Sequence, residues 1–424
     1  MTRILVLSNF YPPHELGGYE MTCRDVMERL AGRGHEVLVL TSTYRRPDLP
    51  TAARATAPEP APVMVRRSLR MYWDDHRIVR PGIAGRWRTE RANQEVLRRA
   101  LADFRPEVAS VWNMAAMSLG LLTTLARAAT PIVYAVCNDW LDFGRWMDGW
   151  SHTFAGRTRL GRAVEAVTGL PTGLGDLGAT GTFCWVSHWT WRWAESHSPW
   201  SFPDSTVVYS GIDPSSFPID PSPPPRPWRW RLLFVGRLEA DKGADTAVRC
   251  LAHLPADATL EVVGPGSEEE RRRVRRSADD AGVADRVSFD TVARSELAAR
   301  YRRADVFVFP SRWEEPFGLV PVEAMACDTP VVATATGGAA EVLRDRVNCL
   351  TFGREDPEDL ARAVIELSGN EALRRRLVAG GRRTAAALSV DALADCLEAW
   401  HVAAARRFAD GRPPPRSAPD PAPG

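Results

Sequence analysis

A strand, a glycine turn and a helix that bears a proline most strongly constrain how this chain can fold. Residues 305–310 form an apolar run that predicts a buried strand, and Leu319–Ala326 predicts a helix, because Pro321 is tolerated only in a first helical turn. Glu315 and Glu323 place two carboxylates eight positions apart around that turn. In an open parallel sheet, ligands bind beyond the carboxyl ends of strands, and helix N-termini favour phosphate oxygens. The sequence therefore predicts a ligand site at this turn.

The length and composition of the chain predict two globular domains. At 424 residues the chain exceeds one typical domain and can bury two cores. Apolar residues make up 45% and charged residues 25% of the sequence, and the formal net charge is +1. This balance supports neither disorder nor a nucleic-acid partner, because binders of polyanions carry a strong positive excess.

Cysteine usage and the first residues bear on the compartment. The seven cysteines form no C-x-x-C pair and leave one unmatched under any pairing, so we predict a reduced, cytoplasmic protein. Residues 3–7 are too few for the apolar core of a signal peptide or for a membrane span, and we interpret them as the first strand.

Alternating strand-like and helical segments predict an α/β fold with two doubly wound domains. Residues 3–8, 21–31 and 36–40 predict a β-α-β opening. A second β-α series begins at residue 231, after a proline-dense stretch that we interpret as a linker. The predicted boundaries are 1–208 for the N-terminal domain, 209–228 for the linker, 229–384 for the C-terminal domain, 385–408 for a closing helix and 409–424 for a disordered tail.

Two cations follow the first strand of the second domain. Lys242, the only lysine among 54 basic residues, lies with Arg237 in a loop where both can bind one diphosphate. Neutralising a charged leaving group in this way is among the largest contributions to transfer catalysis. A solvated loop with a surface arginine is the alternative. Gly17 and Gly18, after the first strand of the chain, would let the backbone approach a phosphate, although a simple turn fits them equally.

These motifs together resemble those of the retaining GT-B glycosyltransferases that carry an E-x7-E motif, the family 4-like or group 1 glycosyltransferases. The resemblance extends over nearly the whole chain. It implies two Rossmann-like domains facing a central cleft, with the acceptor on the N-terminal domain and the nucleotide sugar on the C-terminal domain. The closing helix would pack back on the N-terminal domain. The matching segments are Gly17-Gly18 and residues 33–37, 208–213, 236–243, 262–266, 304–326 and 337–342.

The resemblance implies a role for each matching residue. Glu315, Arg237 and Lys242 would be catalytic: Glu315 would accept hydrogen bonds from sugar hydroxyls, and the two cations would bind the diphosphate. Glu323 would hold the ribose. The segment around Val292 would lie against the nucleotide base. The remaining donor contacts would come from Gly17, Gly18, Gly236, Phe317, Gly318 and Leu319.

The implied reaction transfers a sugar from a nucleotide diphosphate sugar, with a UDP sugar favoured by family frequency. It would retain the anomeric configuration by front-face attack, with the leaving phosphate assisting proton removal. No cofactor beyond the donor co-substrate is expected. No D-x-D pair occurs in the sequence, so we predict metal independence, with charge neutralised by the two cations and a helix N-terminus.

The acceptor motif departs from the family pattern. Many relatives place histidine before aspartate, whereas this chain has Asn138 before Asp139. An amide cannot titrate, so a role that needs an imidazole proton does not fit. We predict that Asn138, Asp139 and Trp140 contact the acceptor and that Asp139 orients it. The acceptor is left open between small molecule, natural product, lipid and glycan; membrane contact through residues 71–99 is a less favoured alternative, and the oligomeric state is left open.

Three other functions compete with this interpretation. A glycan phosphorylase would need a lysine for pyridoxal phosphate, and Lys242 cannot serve both that cofactor and a diphosphate. A sugar-nucleotide epimerase on the same frame would alter the nucleotide sugar without consuming an acceptor. A catalytically silent sugar-nucleotide-binding protein would show no turnover with any acceptor.

Overall fold

The computed structural model describes residues 1–46, 63–74, 77–220 and 227–409. The chain divides into two compact units: unit 1 comprises Met1–Tyr209 and the segment that begins at Leu393, and unit 2 comprises Ser210–Ala392. Residues 221–226 of the predicted linker and 410–424 of the predicted tail lie outside the described residues.

Unit 1 is built on a parallel sheet. Within the described residues its strands follow the order β3-β2-β1-β6-β7-β8-β9, and the two-residue strands β4 and β5 form a separate antiparallel pair. The strands are β1 (Arg3–Leu7), β2 (Glu36–Ser42), β3 (Val63–Leu69), β4 (Trp73–Asp74), β5 (Arg77–Ile78), β6 (Val108–Val111), β7 (Ile132–Val136), β8 (Thr182–Trp185) and β9 (Ser205–Val207).

Helices connect these strands and bury their apolar faces against the sheet. One continuous core contains apolar residues of β1, β2, β6, β7 and β8, as expected for a parallel sheet covered on both faces. The helices of this part are α1 (Gly18–Gly32), α2 (Ile83–Phe104), α3 (Gly120–Arg127), α4 (Trp140–Met147), α5 (Gly149–Thr153), α6 (Thr158–Thr168) and α7 (His188–His197).

Unit 2 has a second parallel sheet with its own core. The strand order is β12-β11-β10-β13-β14-β15, so the order reverses between β10 and β13. The strands are β10 (Arg231–Val235), β11 (Thr259–Val263), β12 (Val287–Asp290), β13 (Val306–Phe309), β14 (Val331–Ala333) and β15 (Leu350–Thr351).

The helices of unit 2 begin at sequence signals that are visible in the chain. Ser267 caps α9 through its hydroxyl, and Asp356 caps α13 immediately before Pro357. The helices are α8 (Ala244–Cys250), α9 (Glu268–Asp280), α10 (Arg294–Arg303), α11 (Leu319–Ala326), α12 (Ala339–Val342), α13 (Pro357–Gly369), α14 (Glu371–Ala387) and α15 (Val390–Ala409), the last continuing into unit 1.

The predicted α/β fold with two doubly wound parallel sheets is confirmed. The predicted start of the closing helix at residue 385 was wrong. Residues 385–387 still belong to α14, and α15 begins at Val390. Ser389 explains the break, since its hydroxyl accepts a hydrogen bond from the amide of Ala392 at 3.1 Å, as a helix-capping serine does. In the part of the chain that the structure describes, no helix is long and apolar enough to cross a membrane.

Candidate active site

The candidate site in unit 2 lies at the carboxyl ends of β10 and β13. These adjacent strands pair at Leu232 with Val306, and strand order reverses there, which is where open parallel sheets bind ligands. The loop after β10 and the loop after β13 are tied together, because the amides of Arg312 and Trp313 donate to the carbonyl of Asp241 at 2.7 and 3.2 Å.

Lys242 and Glu315 meet across these two loops. The Lys242 Nζ lies 2.9 Å from Glu315 Oε1, and the Ser311 hydroxyl donates to the same carboxylate oxygen at 2.6 Å. The carbonyl of Glu315 accepts from the amide of Gly338 at 2.7 Å, which fixes the backbone at this residue. The Lys242 and Glu315 side chains are 18% and 9% exposed, so the pair is largely desolvated while its cation still reaches the surface. The structure thus brings together two of the three predicted catalytic residues.

Gly243 brings the loop that carries Lys242 close to the backbone of Pro310. Its φ of +71° lies in the left-handed region, and a Cβ built there would stand 2.0 Å from the carbonyl oxygen of Pro310. No residue with a side chain fits that contact without displacing a backbone. The close approach keeps Lys242, the preceding residue, beside the loop that carries Glu315.

Arg237, the third predicted catalytic residue, has a different partner. It follows Gly236 in the loop after β10, and its Nη1 lies 2.7 Å from Glu239 Oε1. Burial raises the pKa of Glu239, while Arg237 acts in the opposite direction. About half of the Arg237 side chain is exposed, so it can exchange this partner for an incoming anion.

α11 begins four residues after Glu315, at the same edge of the sheet. Gly318, with a φ of +87°, precedes Leu319, the first helical residue, and Phe317 is buried just before it. First-turn amides of a helix have no partner within the helix and carry partial positive charge. Of the predicted phosphate and sugar contacts, that of Leu319 would be made by such an amide, whereas Phe317 and Gly318 precede the helix. Val292, half-buried in the loop between β12 and α10, stays a predicted base contact.

Glu323 lies one turn along α11 and is almost fully buried. Its Oε2 accepts a hydrogen bond from the Tyr301 hydroxyl at 3.0 Å, and its Oε1 lies 3.5 Å from Nη1 of Arg294. Burial raises the pKa of Glu323, and Arg294 and the Tyr301 hydrogen bond oppose that rise. A carboxylate oxygen that faces a cation without receiving a hydrogen bond from it can accept hydrogen bonds from ligand hydroxyls.

The predicted glycines of unit 1 lie after β1, at the start of α1. Gly17 is the capping residue, and its amide donates to Glu20 Oε2 at 2.9 Å. Gly18 is the first residue of the helix. A Cβ at Gly17 would meet nothing closer than 4.0 Å, so its local packing does not demand glycine.

The three predicted acceptor residues have unequal access. Asn138 Oδ1 accepts from the Trp140 amide at 3.2 Å, and burial raises the pKa of the Asp139 carboxyl. The Trp140 side chain is fully buried in the core of unit 1, because α4 turns its apolar face towards the sheet. A direct acceptor contact by the Trp140 ring therefore does not fit this structure.

Three polar residues of the site were missed by the sequence analysis. Ser311, Tyr301 and Arg294 contact the two glutamates directly. The position of Ser311, four residues before Glu315 and directly after Pro310, was a usable signal. Tyr301 and Arg294 lie 22 and 29 positions before Glu323, and no spacing rule connects them. Within the described residues, no group of three or more His, Cys, Asp or Glu is arranged to hold a metal ion.

Comparisons with family models identify both units. Residues 16–216 match the model described as Glycosyltransferase Family 4, and residues 219–384 match Glycosyl transferases group 1. The chain belongs to the family 4-like glycosyltransferases of the GT-B fold.

Relatives and solved structures agree with this assignment. A D-inositol 3-phosphate glycosyltransferase of Xylanimonas cellulosilytica is 40% identical over 42% of this chain and 43% of its own length, so the match spans less than half of that relative. A glycogen synthase of Mycobacterium tuberculosis is 28% identical over 90% of this chain and 89% of its own.

Among solved structures, the sucrose-phosphate synthase of Thermosynechococcus elongatus superposes with a TM-score of 0.72 at 22% identity, covering 97% of this chain and all of that one. The Anabaena protein HepE in complex with UDP-glucose gives a TM-score of 0.62 at 18% identity, covering 97% and 99% of the two chains. Both likenesses concern the fold.

Proposed function

We propose that this glycosyltransferase moves a sugar from a UDP sugar to a small-molecule, natural-product or glycan acceptor, with retention and without a metal ion. The observation that carries the proposal is the contact of Lys242 with Glu315 at the carboxyl ends of β10 and β13. A cation and a carboxylate held together at that edge match the two needs of a sugar diphosphate, since its phosphates need positive charge and its sugar hydroxyls need an acceptor.

The roles of the residues follow from their chemistry. Lys242 would turn its ammonium to the diphosphate, and Arg237 would exchange its surface partner Glu239 for the same group. Glu315 would then accept hydrogen bonds from sugar hydroxyls, held by Ser311. UDP is favoured because the HepE structures contain UDP and UDP-glucose.

The bond changes need no protein nucleophile. The bond from the anomeric carbon to the diphosphate oxygen would break as the acceptor oxygen attacks the same face of the sugar. The acceptor proton would pass to the departing phosphate oxygen, which carries the developing negative charge. Lys242 and the first-turn amides of α11 would stabilise that charge, which is where a preorganised site lowers the barrier most.

Product stereochemistry tests this function. The protein is incubated with UDP-α-glucose and a set of hydroxylated acceptors, and proton NMR follows the anomeric signal of the product as it forms. We expect an α-glycoside together with stoichiometric UDP. A β-glycoside would overturn retention. A changed nucleotide sugar without acceptor consumption would favour the epimerase, and no turnover with any nucleotide sugar would favour a silent binding protein.

A further inference from the structure

Tyr301 and Arg294 surround the Glu323 carboxylate from two positions on α10. The Tyr301 hydroxyl donates to Oε2 at 3.0 Å, and the Arg294 guanidinium stands 3.5 Å from Oε1. Both belong to the helix that follows the loop of Val292, whereas Glu323 belongs to α11. The carboxylate is therefore held from a neighbouring element and not by its own helix.

The two contacts differ in kind. The tyrosine contact has the length of an ordinary hydrogen bond and uses one lone pair of Oε2. The arginine contact is longer than a hydrogen bond but short enough for strong attraction between the charges. Oε1 therefore faces the positive charge of Arg294 without receiving a hydrogen bond from it. It keeps the capacity to accept hydrogen bonds from ligand hydroxyls.

Both partners of Glu323 are themselves held in place. Tyr301 is fully buried, and its carbonyl accepts from the Thr329 hydroxyl at 2.7 Å. The Arg294 guanidinium carbon lies 5.3 Å from the ring centre of Phe217, which is also buried. Such a cation–π contact restricts the long arginine side chain and leaves its charge beside Glu323.

We propose that Tyr301 and Arg294 are positioning residues that hold the Glu323 carboxylate in place and leave its Oε1 to accept hydrogen bonds from the ribose hydroxyls of the donor, so that the site selects ribonucleotides over 2′-deoxyribonucleotides. This inference rests on the proposed function, because it assigns Glu323 to the nucleotide of the donor. A ribose presents two neighbouring hydroxyl donors to one carboxylate. Removal of one hydroxyl leaves a buried charged acceptor unsatisfied, which costs more than the loss of a neutral hydrogen bond.

Calorimetric titration with UDP and with 2′-deoxy-UDP measures this selection. We expect the wild type to bind UDP about tenfold or more tightly than its deoxy counterpart. Tyr301→Phe and Arg294→Gln should bring the two dissociation constants to within about twofold of each other, chiefly by lowering the affinity for UDP. Arg294→Lys should retain most of the preference, because it returns a positive charge to a contact that does not depend on the guanidinium fork.

Arg275→Gln is the matched control. Arg275 also lies 5.3 Å over a phenylalanine ring, that of Phe289, and pairs with Glu268. Its substitution removes a comparable contact from the same unit and should leave the preference unchanged.

The outcomes separate the two levels of the proposal. If the wild type binds UDP but not more tightly than 2′-deoxy-UDP, or if Tyr301→Phe and Arg294→Gln weaken both ligands by the same factor, the inference is overturned alone. If the wild type binds neither UDP nor any of GDP, ADP and dTDP, the proposed function falls with it. If another ribonucleoside diphosphate replaces UDP, the same comparison with its deoxy form decides the inference.

Discussion

Lys242 and Glu315 lie 73 positions apart in the sequence, and their charged atoms meet at 2.9 Å. The contact joins the loop after β10 to the loop after β13, at the reversal of strand order in unit 2. Because Ser311 donates to the same carboxylate oxygen, Glu315 would keep a hydrogen bond if Lys242 turned to another anion. A partner that can leave without stranding the carboxylate suits a site that binds and releases a charged substrate.

Removal of the Lys242 ammonium should lower the catalytic rate strongly and leave the fold intact. We expect Lys242→Ala to lower kcat roughly 100- to 1,000-fold, the usual effect of deleting one preorganised donor to a developing anion. Arg272→Ala, on the exposed face of α9 and paired with Glu268, is the control and should stay close to wild type. Steady-state kinetics of both variants, with circular dichroism to verify folding, make the comparison. A Lys242→Ala enzyme as fast as the control would remove the lysine from the mechanism.

The Ser311 hydroxyl should affect catalysis chiefly through Glu315, which accepts its shortest hydrogen bond. Ser311→Ala deletes the 2.6 Å hydrogen bond to Oε1 and leaves Lys242 in place. We expect a drop in kcat/KM of roughly 10- to 150-fold, since hydrogen bonds to charged groups contribute about 1.5–3 kcal/mol. Combining it with Glu315→Gln in a double-mutant cycle should show that the two effects are not additive. Full additivity would mean that Ser311 acts elsewhere.

Substitution of Gly243 should be far more damaging than substitution of another left-handed glycine. Gly282 has a φ of +65° and open space around its missing Cβ, whereas Gly243 faces the Pro310 carbonyl at 2.0 Å. We expect Gly282→Ala to cost about 1–2 kcal/mol of unfolding free energy from the backbone conformation alone. Gly243→Ala should cost at least about 2 kcal/mol more, because a backbone must move. Urea denaturation of both variants measures the difference, and equal costs would show that the close approach does not exist.

The buried carboxyl of Glu90 should make unit 1 less stable as the pH rises. Burial, and then the nearby Asp148, raise the pKa of Glu90 to about 8. In the unfolded chain a glutamate titrates near about 4.3. Between these values the folded state holds a proton that the unfolded state has lost, so the free energy of unfolding falls with increasing pH, by up to about 1.4 kcal/mol per pH unit from this group. Above the pKa of Glu90 in the folded state, both states are ionised, and Glu90 no longer makes the free energy of unfolding change with pH.

Glu90→Gln isolates that contribution. The neutral amide cannot ionise, so we expect the variant to gain stability relative to wild type between pH 5.5 and 8, as measured by urea unfolding at both values. Glu95→Gln, on the same helix and paired at the surface with Arg99, is the matched control and should show no such gain. A difference between wild type and Glu90→Gln that does not change with pH would contradict the assignment of a protonated carboxyl.

Much of the site backbone could be predicted from the sequence, because its helix and strands depend on residues that are close together in the chain. The boundaries of α11 were predicted to the residue, with Pro321 placing the helix start because proline is tolerated only in a first helical turn. The strand before Glu315 was predicted within one residue, because it is a short apolar run that ends in proline, and the strand before Lys242 begins at the predicted residue 231.

The parts that escaped prediction depend on contacts between distant residues. β3 alternates buried and exposed residues at the edge of its sheet and includes two arginines, so no apolar run marks it. Glu90 looks like a surface charge on α2, yet it is fully buried. Tyr301 and Arg294 reach Glu323 only after α10 and α11 pack together, a pairing that neither helix encodes alone.

The most direct test of the account is a thermal-shift titration of wild type, Lys242→Ala and Arg272→Ala with UDP, GDP, ADP and dTDP. A ligand that binds only the folded protein stabilises it by about 2.7 kcal/mol at a hundredfold excess over its Kd. We expect UDP to shift the wild type and Arg272→Ala in this way and to shift Lys242→Ala much less. No shift with any nucleotide, or an equal shift in all three proteins, would contradict a diphosphate site at Lys242 and Glu315.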